Sequence, residues 1–422
     1  REGTLEVNGG TFSVQQTYSD AQPYEFVLNC HDASYKDGSA KITVYGGSFK
    51  GFNPRDCEAE GVGTNFCAPG YVVDVKKGQQ GTDLDTYTVR KLDEGSMAVF
   101  PAQSTEGIVS ASLEGTFTSS TDKIQDSGTE GEPSGAVNEG NVSVNLTTKD
   151  SNPSTAASLN VATDTAKSLA NNANSLTVES DVGTVTLDKT ALGELKDVSE
   201  PVVISIEATN EDDAAPTWEV TVKEGKEELF AETTDVGITI TVPAPAGASD
   251  NTKVYCIDDG MEDMSATYND SNKTLEWTTK HLSTFAAITL KEGDVATWTT
   301  GSNSGSGDLA AALNAVKDSG GTITLLDNAK LEGANNYTIK GDVTIQGNYT
   351  ITATPAAGQR TKVFTIENGG KLTLNGVTLN MTGTKNSYDN KKEGDGINVR
   401  YGAELVLKDA TVTFTDMFSP LV

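Results

Sequence analysis

Residues 362–379, KVFTIENGGKLTLNGVTL, are answered by residues 395–412, DGINVRYGAELVLKDATV, with apolar and polar positions in the same order. Phe364, Ile366, Leu372, Leu374, Val377 and Leu379 recur as Ile397, Val399, Leu405, Leu407, Ala410 and Val412, each pair 33 residues apart (364 to 397). Within a copy the apolar residues alternate with Thr, Asn, Lys or Glu, the two-residue period of a strand with one buried face. Asn368-Gly369-Gly370, Asn375-Gly376, Tyr401-Gly402 and Asp409 punctuate the strands as turns. Three short strands cannot bury an apolar face alone, so each copy must stack on the next, which is the logic of a parallel β-helix.

The N-terminus uses the same grammar. GTLEVNGGTFSV (3–14) and SAKITVYGGSFKGF (39–52) align Leu5 with Ile42, Val7 with Val44 and Phe12 with Phe49, an offset of 37 residues (5 to 42). Phe26 and Leu28 supply a further strand between them, and residues 63–89 read as less regular strands closing that block as a cap. The fold class expected is therefore mainly β, with two parallel β-helix segments, right-handed by the resemblance given below, flanking a β-sandwich-like (α+β) module. The boundaries drawn are 1–103 for the terminal coils and cap of one helix, 104–140 for an acidic Ser/Gly/Thr-rich linker, 141–290 for the module, 291–306 for a second linker, and 307–422 for the helix cap and first coils of the second β-helix.

Several local signals support that division. Val142, Val144 and Leu146 alternate as a strand, a short helix follows near 164–173, and Asp188 is placed to cap another at 189–194. Trp218 and Trp277 are expected in the core of the module. Asp308–Lys317 (DLAAALNAVK) reads as an amphipathic helix covering the start of the second stack, whose first strand would otherwise be an open edge.

Sixty acidic against 31 basic residues give a formal net charge of −29, which argues against nucleic acid or anionic lipid as partners. No run of about 18 apolar residues suggests a transmembrane helix. Arg1 sits just before a coil strand and Val422 just after one, so the sequence reads as an internal fragment or as a protomer whose ends neighbours complete. Cys57 and Cys67 bracket a loop that a disulfide could staple, which fits an extracellular chain, while free thiols are the other reading. His31 lies beside Cys30, but zinc-ligand spacing does not follow, so no metal site is expected.

The phrases DLAAALNAVKDSGGTITLLDN, VTIQGNYTITA and GGKLTLNGVTL resemble the pectate-lyase-like right-handed parallel β-helix superfamily, in the form found in large surface proteins of gut and other Gram-positive bacteria. ITVYGGSFKGFNPRD and TNFCAPGYVV look like terminal coils and cap of similar repeats. LTVESDVGTVTLDKTAL, GITITVPAP and HLSTFAAITL resemble β-rich modules of S-layer-type and other cell-surface proteins. The resemblance implies an extracellular, bacterial cell-surface segment of structural or adhesive function, its signal and anchor lying outside this fragment, with head-to-tail self-association through open β-helix ends or contact with glycans or a host surface. Carbohydrate binding, polysaccharide degradation and a phage spike are the alternatives.

Enzymes of that superfamily use clustered acids with a basic partner, and the nearest candidates here are Asp389, Glu393, Asp395 and Arg400, with Tyr388 as a sugar-stacking ring. No adjacent-Asp motif falls on a coil strand and His31 and His281 are remote, so these residues are read as a glycan-contacting loop, with no catalytic residue assigned. No cofactor is expected. Ca2+ is the one ion for which acidic runs offer ligands, at Asp83 and Asp85, Glu211 to Asp213, and Asp258, Asp259, Glu262 and Asp263, none of which spells an EF-hand loop.

Overall fold

The computed structural model describes residues 3–14, 26–61, 63–78, 84–102, 107–125, 132–147, 153–210, 216–232, 235–257, 262–301, 303–334, 336–356, 361–385 and 392–421. The chain is mainly β, with parallel and mixed sheets. It forms two compact units. One comprises Arg1–Ile206, Thr221–Ile240 and Thr279–Leu282, the other Glu207–Val220, Thr241–Thr278 and Ser283–Val422.

The repeat at 362–412 governs the second unit. From Gly321 onward the chain visits three sheets in fixed rotation, four times over. The first sheet takes Gly321–Leu325, Asp342–Gln346, Lys371–Asn375 and Glu404–Lys408, all parallel. The second takes Ala329–Ala334, Thr350–Pro355, Thr378–Thr382 and Thr411–Thr415, and the third Tyr337–Ile339, Lys362–Ile366, Asp395–Val399 and Ser419–Leu421. Every circuit therefore lays like residues on like. Ile345, Leu374 and Leu407 form one interior row, Ile351, Leu379 and Val412 a second, and Phe364, Ile397 and Leu421 a third.

The start of this stack is closed. Leu309–Val316 is the expected helix; Asp308 caps it by accepting from the Ala311 amide at 2.7 Å. Its Leu309, Ala312, Leu313 and Val316 are fully buried in the same core as the rows. The segment 291–306, expected to be a linker, instead holds a hairpin, Ala296–Thr300 with Asn303–Gly307, that pairs antiparallel with Gly321–Leu325. Its outer strand is too rich in Gly and Ser to announce itself. The reason for that composition is local: a Cβ on Gly305 would lie 2.7 Å from the Trp298 ring, so glycine lets the indole lie across the strand.

In the first unit, Gly3–Ser13 and Ala40–Lys50 pair in parallel with Leu5 on Ile42, Val7 on Val44 and Phe12 on Phe49, the register read from sequence. The Phe12 and Phe49 rings stack at 4.9 Å. The sheet is mixed, because Thr86–Lys91 and Tyr71–Lys76 add to it antiparallel. The stretch 104–140 is likewise more than linker. Ile108–Gly115 lies between Ala156–Val161 and Ser96–Pro101, with Leu113 and Phe117 fully buried, and Lys123–Gln125 and Ser134–Asn138 are also strands. Its apolar positions are spaced by Ser and Gly, which lowered the hydrophobic signal without removing the alternation.

Further strands and short helices follow along 141–197. Asn141–Asn145, Ser175–Glu179 and Thr184–Asp188 form neighbouring strands whose Val142, Val144, Leu176, Val185 and Leu187 are fully buried. Thr163–Asn172 is helical, and Asp188 caps Lys189–Gly193 through the Thr190 and Ala191 amides. In the second unit, Trp218 pairs with Phe285 across two strands and is buried, as is Trp277.

The rows make a graded prediction. Leu374 is fully buried in mid-row, so Leu374→Ala should cost about 2–5 kcal/mol. Leu407, one circuit on and 49% exposed, should cost under about 1 kcal/mol as Leu407→Ala, because much of its side chain is never removed from water. Amide hydrogen exchange in the 321–421 strands, with and without denaturant, measures both; equal costs would overturn the assignment of Leu407 to an open row end.

Candidate functional site

Of the five residues of the expected glycan-contacting loop, the structure describes Glu393, Asp395 and Arg400. Tyr388 and Asp389 lie outside the described residues. Glu393 is in the short strand Lys392–Glu393, paired antiparallel with Thr384–Lys385. Asp395 begins the strand Asp395–Val399, and Arg400 follows its end. Five strand residues span about 16 Å, so Asp395 and Arg400 occupy opposite ends of one strand rather than a common centre.

Their environments also differ. Asp395 shares the inward alternation of Ile397, is 5% exposed, and has Oδ1 buried without a hydrogen-bond partner. Its register neighbours are Lys362 above and Ser419 below. Arg400 faces out and pairs through Nη1 with Glu367 Oε1 at 3.2 Å, one circuit earlier. Lys371 and Asp342 form a similar exterior rung at 3.1 Å. Such exposed pairs contribute at most about 1 kcal/mol each and favour register more than stability.

The acidic runs considered for Ca2+ are mostly committed or outside the described residues. Asp83, Glu211 to Asp213, Asp258 and Asp259 are outside. Asp85 accepts from Lys77 Nζ at 2.8 Å and from the Gly78 amide, which together hold its carboxyl below the usual value. Asp263 accepts from the Ser265 amide on a short strand edge that also carries Glu262. Among the described residues no three His, Cys, Asp or Glu side chains converge as metal ligands.

The N-terminal block holds a denser polar arrangement. Cys30, Cys57 and Cys67 are free thiols, so Cys57 and Cys67 carry no staple in this structure. Cys57 Sγ donates to the Thr64 carbonyl at 3.4 Å, across the tight bridge in which Cys57 and Thr64 exchange backbone hydrogen bonds. Burial pushes Cys57 up to about 11 and Cys67 up to about 12. Cys30 also rises to about 11, from burial first and then from the neighbouring Glu60 carboxylate. Glu60 is itself buried, taking the Cys30 amide on Oε1 while Oε2 has no partner.

A buried ion pair that sequence reasoning missed fastens this block to the strand 108–115. Arg55 Nη2 meets Glu114 Oε1 at 2.7 Å with side chains only 9% and 11% exposed. Nη1 donates to the Tyr71 carbonyl at 2.6 Å, and the guanidinium lies 3.1 Å from the centre of the Phe100 ring. Glu114 Oε2 accepts from the Gly70 amide, and Ser112 Oγ donates to Oε1. Burial lowers the Arg55 pKa and Glu114 opposes that shift. The only trace in sequence is a Glu in a strand of Ser and small apolar residues, which does not name its partner.

The remaining feature is the end of the C-terminal stack. Among the described residues, Glu404–Lys408, Thr411–Thr415 and Ser419–Leu421 are each the outermost strand of their sheet. Leu407 and Leu421 are 49% and 56% exposed, and Leu405, Val412 and Phe414 are half-buried, although their counterparts one circuit earlier are buried. At the other terminus Gly3–Ser13 is an outermost strand too, with Leu5 46% exposed.

Two measurements follow from the N-terminal block. Removing one partner of the buried pair, by Arg55→Met or Glu114→Gln, should destabilise the first unit by about 3–5 kcal/mol, while Arg55→Met with Glu114→Leu should recover most of it; denaturant melts of the three variants decide this. The thiolate is the reactive form, so a thiol at about 11 is ionised to roughly one part in a thousand at pH 8, and Cys57 should alkylate about a hundredfold slower than a thiol at 9.0. Because these thiols are raised in the fold, their contribution to stability is full below pH 9 and is lost as pH climbs toward 11 and 12. Fast native alkylation of Cys57 and Cys67 at pH 8 would overturn the buried arrangement. No family model, curated protein or solved structure matches the chain, so its function must be argued from the geometry above.

Proposed function

We propose that this chain is a structural, adhesive segment of a secreted bacterial surface protein, and that its C-terminal stack is the beginning of a right-handed parallel β-helix. One observation carries the reading: four successive circuits pass through the same three parallel sheets with interior rows kept in register. A stack built this way grows by one strand spacing, about 4.8 Å, per circuit and invests its residues in length and surface. The net charge of −29 fits a solvated exterior that repels its own kind except where apolar edges meet.

A second reading, glycan binding beside Asp395, draws on its Oδ1, a buried carboxylate oxygen with no hydrogen-bond partner among the described residues. Sugar hydroxyls are donors that could satisfy it. In that case Asp395→Ala should abolish retention on a glycan array while Arg400→Ala, altering an exterior rung, should leave it unchanged.

Surface display is the testable core of the first reading. Antiserum against this chain should label the outside of intact producing cells, and the label should disappear after external protease treatment. Labelling that appears only after permeabilisation would overturn the proposal.

A further inference from the structure

The second sheet of the C-terminal stack turns an almost pure threonine face outward. Three successive strands read TITAT (350–354), TLNMT (378–382) and TVTFT (411–415). Ile351, Leu379 and Val412, with Ala353, Met381 and Phe414, turn into the core, so the alternate residues face out. Parallel register stacks these in columns: Thr350, Thr378 and Thr411 in one, Thr352, Asn380 and Thr413 in the next, and Thr382 with Thr415 in the third, which Thr354 continues on its own strand. Thr352, Thr382, Thr411, Thr413 and Thr415 are exposed and the other four are half-buried. The strands at 350 and 378 each lie between two others of the sheet, so the face does not depend on an outermost strand.

Two properties set this face apart. None of its nine side chains is charged, whereas the outward positions of the first sheet include Asp342, Lys371, Glu404 and Lys408. Lys330, in register with Thr352 on the preceding strand, marks where the uncharged area stops. The second property is that the hydroxyls do not satisfy one another. In other sheets of the chain they do so across neighbouring strands, Ser110 with Ser158 at 2.8 Å in a parallel pair and Thr177 with Thr186 at 3.1 Å. On this face, among the described residues, Thr354 Oγ1 alone is engaged, by the Gly333 amide at 3.3 Å. The remaining hydroxyls and the Asn380 amide offer both donors and acceptors to a ligand.

Charge and size select the occupant. A net charge of −29 repels acidic polymers, and a basic partner is drawn to the charged faces rather than to this one. Three columns about 6.8 Å apart and three rows about 4.8 Å apart cover roughly 300 Å². A stable protein interface buries about 800 Å² on each side, so the face is too small for a second copy of this chain and suits a narrow polymer. We propose that it binds a neutral linear polysaccharide, whose evenly repeated hydroxyls meet the threonine columns. Tyr349, 39% exposed and immediately before Thr350, supplies a ring at the border on which a sugar can stack. This site is distinct from Asp395, which turns into the stack, and it rests on the adhesive reading above, for which it names a ligand class.

Native affinity electrophoresis of the intact chain, through gels containing a neutral β-glucan, mannan or galactan and through polygalacturonate as the acidic control, tests the site. The wild type should be retarded by at least one neutral polysaccharide and not by polygalacturonate. Thr352→Val with Thr413→Val removes two central hydroxyls while keeping β-branched side chains on the strands, and should weaken retention at least tenfold. Thr352→Ser with Thr413→Ser keeps the hydroxyls and should still bind, which repeats the test should the valine pair misfold. Tyr349→Ala should weaken retention severalfold, and Thr344→Val, outward on the first sheet, should leave it unchanged. A wild type retarded by no neutral polysaccharide, or held equally by polygalacturonate, overturns the proposal, as does a folded valine pair that binds like the wild type. Loss of retention in Asp395→Ala with the valine pair unaffected would place the sugar at Asp395 instead and overturn it too. Dimers in light scattering that the valine pair abolishes, with no polysaccharide bound, would give the face to a second copy and have the same effect. Cell-surface labelling is independent of these outcomes: a displayed chain that binds no polysaccharide removes only this site, and a binding chain that is never displayed removes only the surface role.

Discussion

A five-residue strand with one apolar face has no partner of its own size except another strand of the same kind. In the second unit that partner lies one circuit away along the chain. Backbone hydrogen bonding between parallel neighbours and burial of the interior rows therefore specify each other. A slip of one residue would turn Leu372 and Leu374 outward and bring Lys371, Thr373 and Asn375 inside, so the pleat enforces the register that the repeat encodes. The exterior rungs Arg400 to Glu367 and Lys371 to Asp342 add little energy, but they agree with that register.

This coupling explains which parts of the structure could be read in advance. The paired strands at 362–379 and 395–412, the parallel match of Leu5 with Ile42, and the capping roles of Asp188 and Asp308 all depend on residues whose local pattern is sufficient. The strands at 108–115 and 303–307 were hidden for a different reason. In 303–307 the Trp298 ring lies against Gly305, so a small side chain is what that position requires, and in 108–115 Ser residues space the buried Ala111 and Leu113. Composition read those same small residues as linker.

The candidate site divides in the same manner. The carboxylate loop was found by composition, yet composition could not show that Asp395 turns inward while Arg400 turns outward, since that follows from strand parity across 395–400. Arg55 and Glu114 are separated by 59 residues and joined only by the fold. Desolvating both charges makes the pair a weak source of net stability against an apolar substitute, but a strong penalty on any arrangement that separates them. It defines how the N-terminal block meets the strand at 108–115 in the first unit.

The helix at Leu309–Val316 closes the start of the stack, and the circuits beyond it keep the same interior rows. Such a plan makes length a heritable variable. Duplicating the 33 residues of one circuit would place Leu on Leu and Thr on Thr at both new junctions, with no core to redesign. A lineage carrying this stack could lengthen or shorten it by unequal recombination, in whole steps of about 4.8 Å, while the closing helix stays as it is.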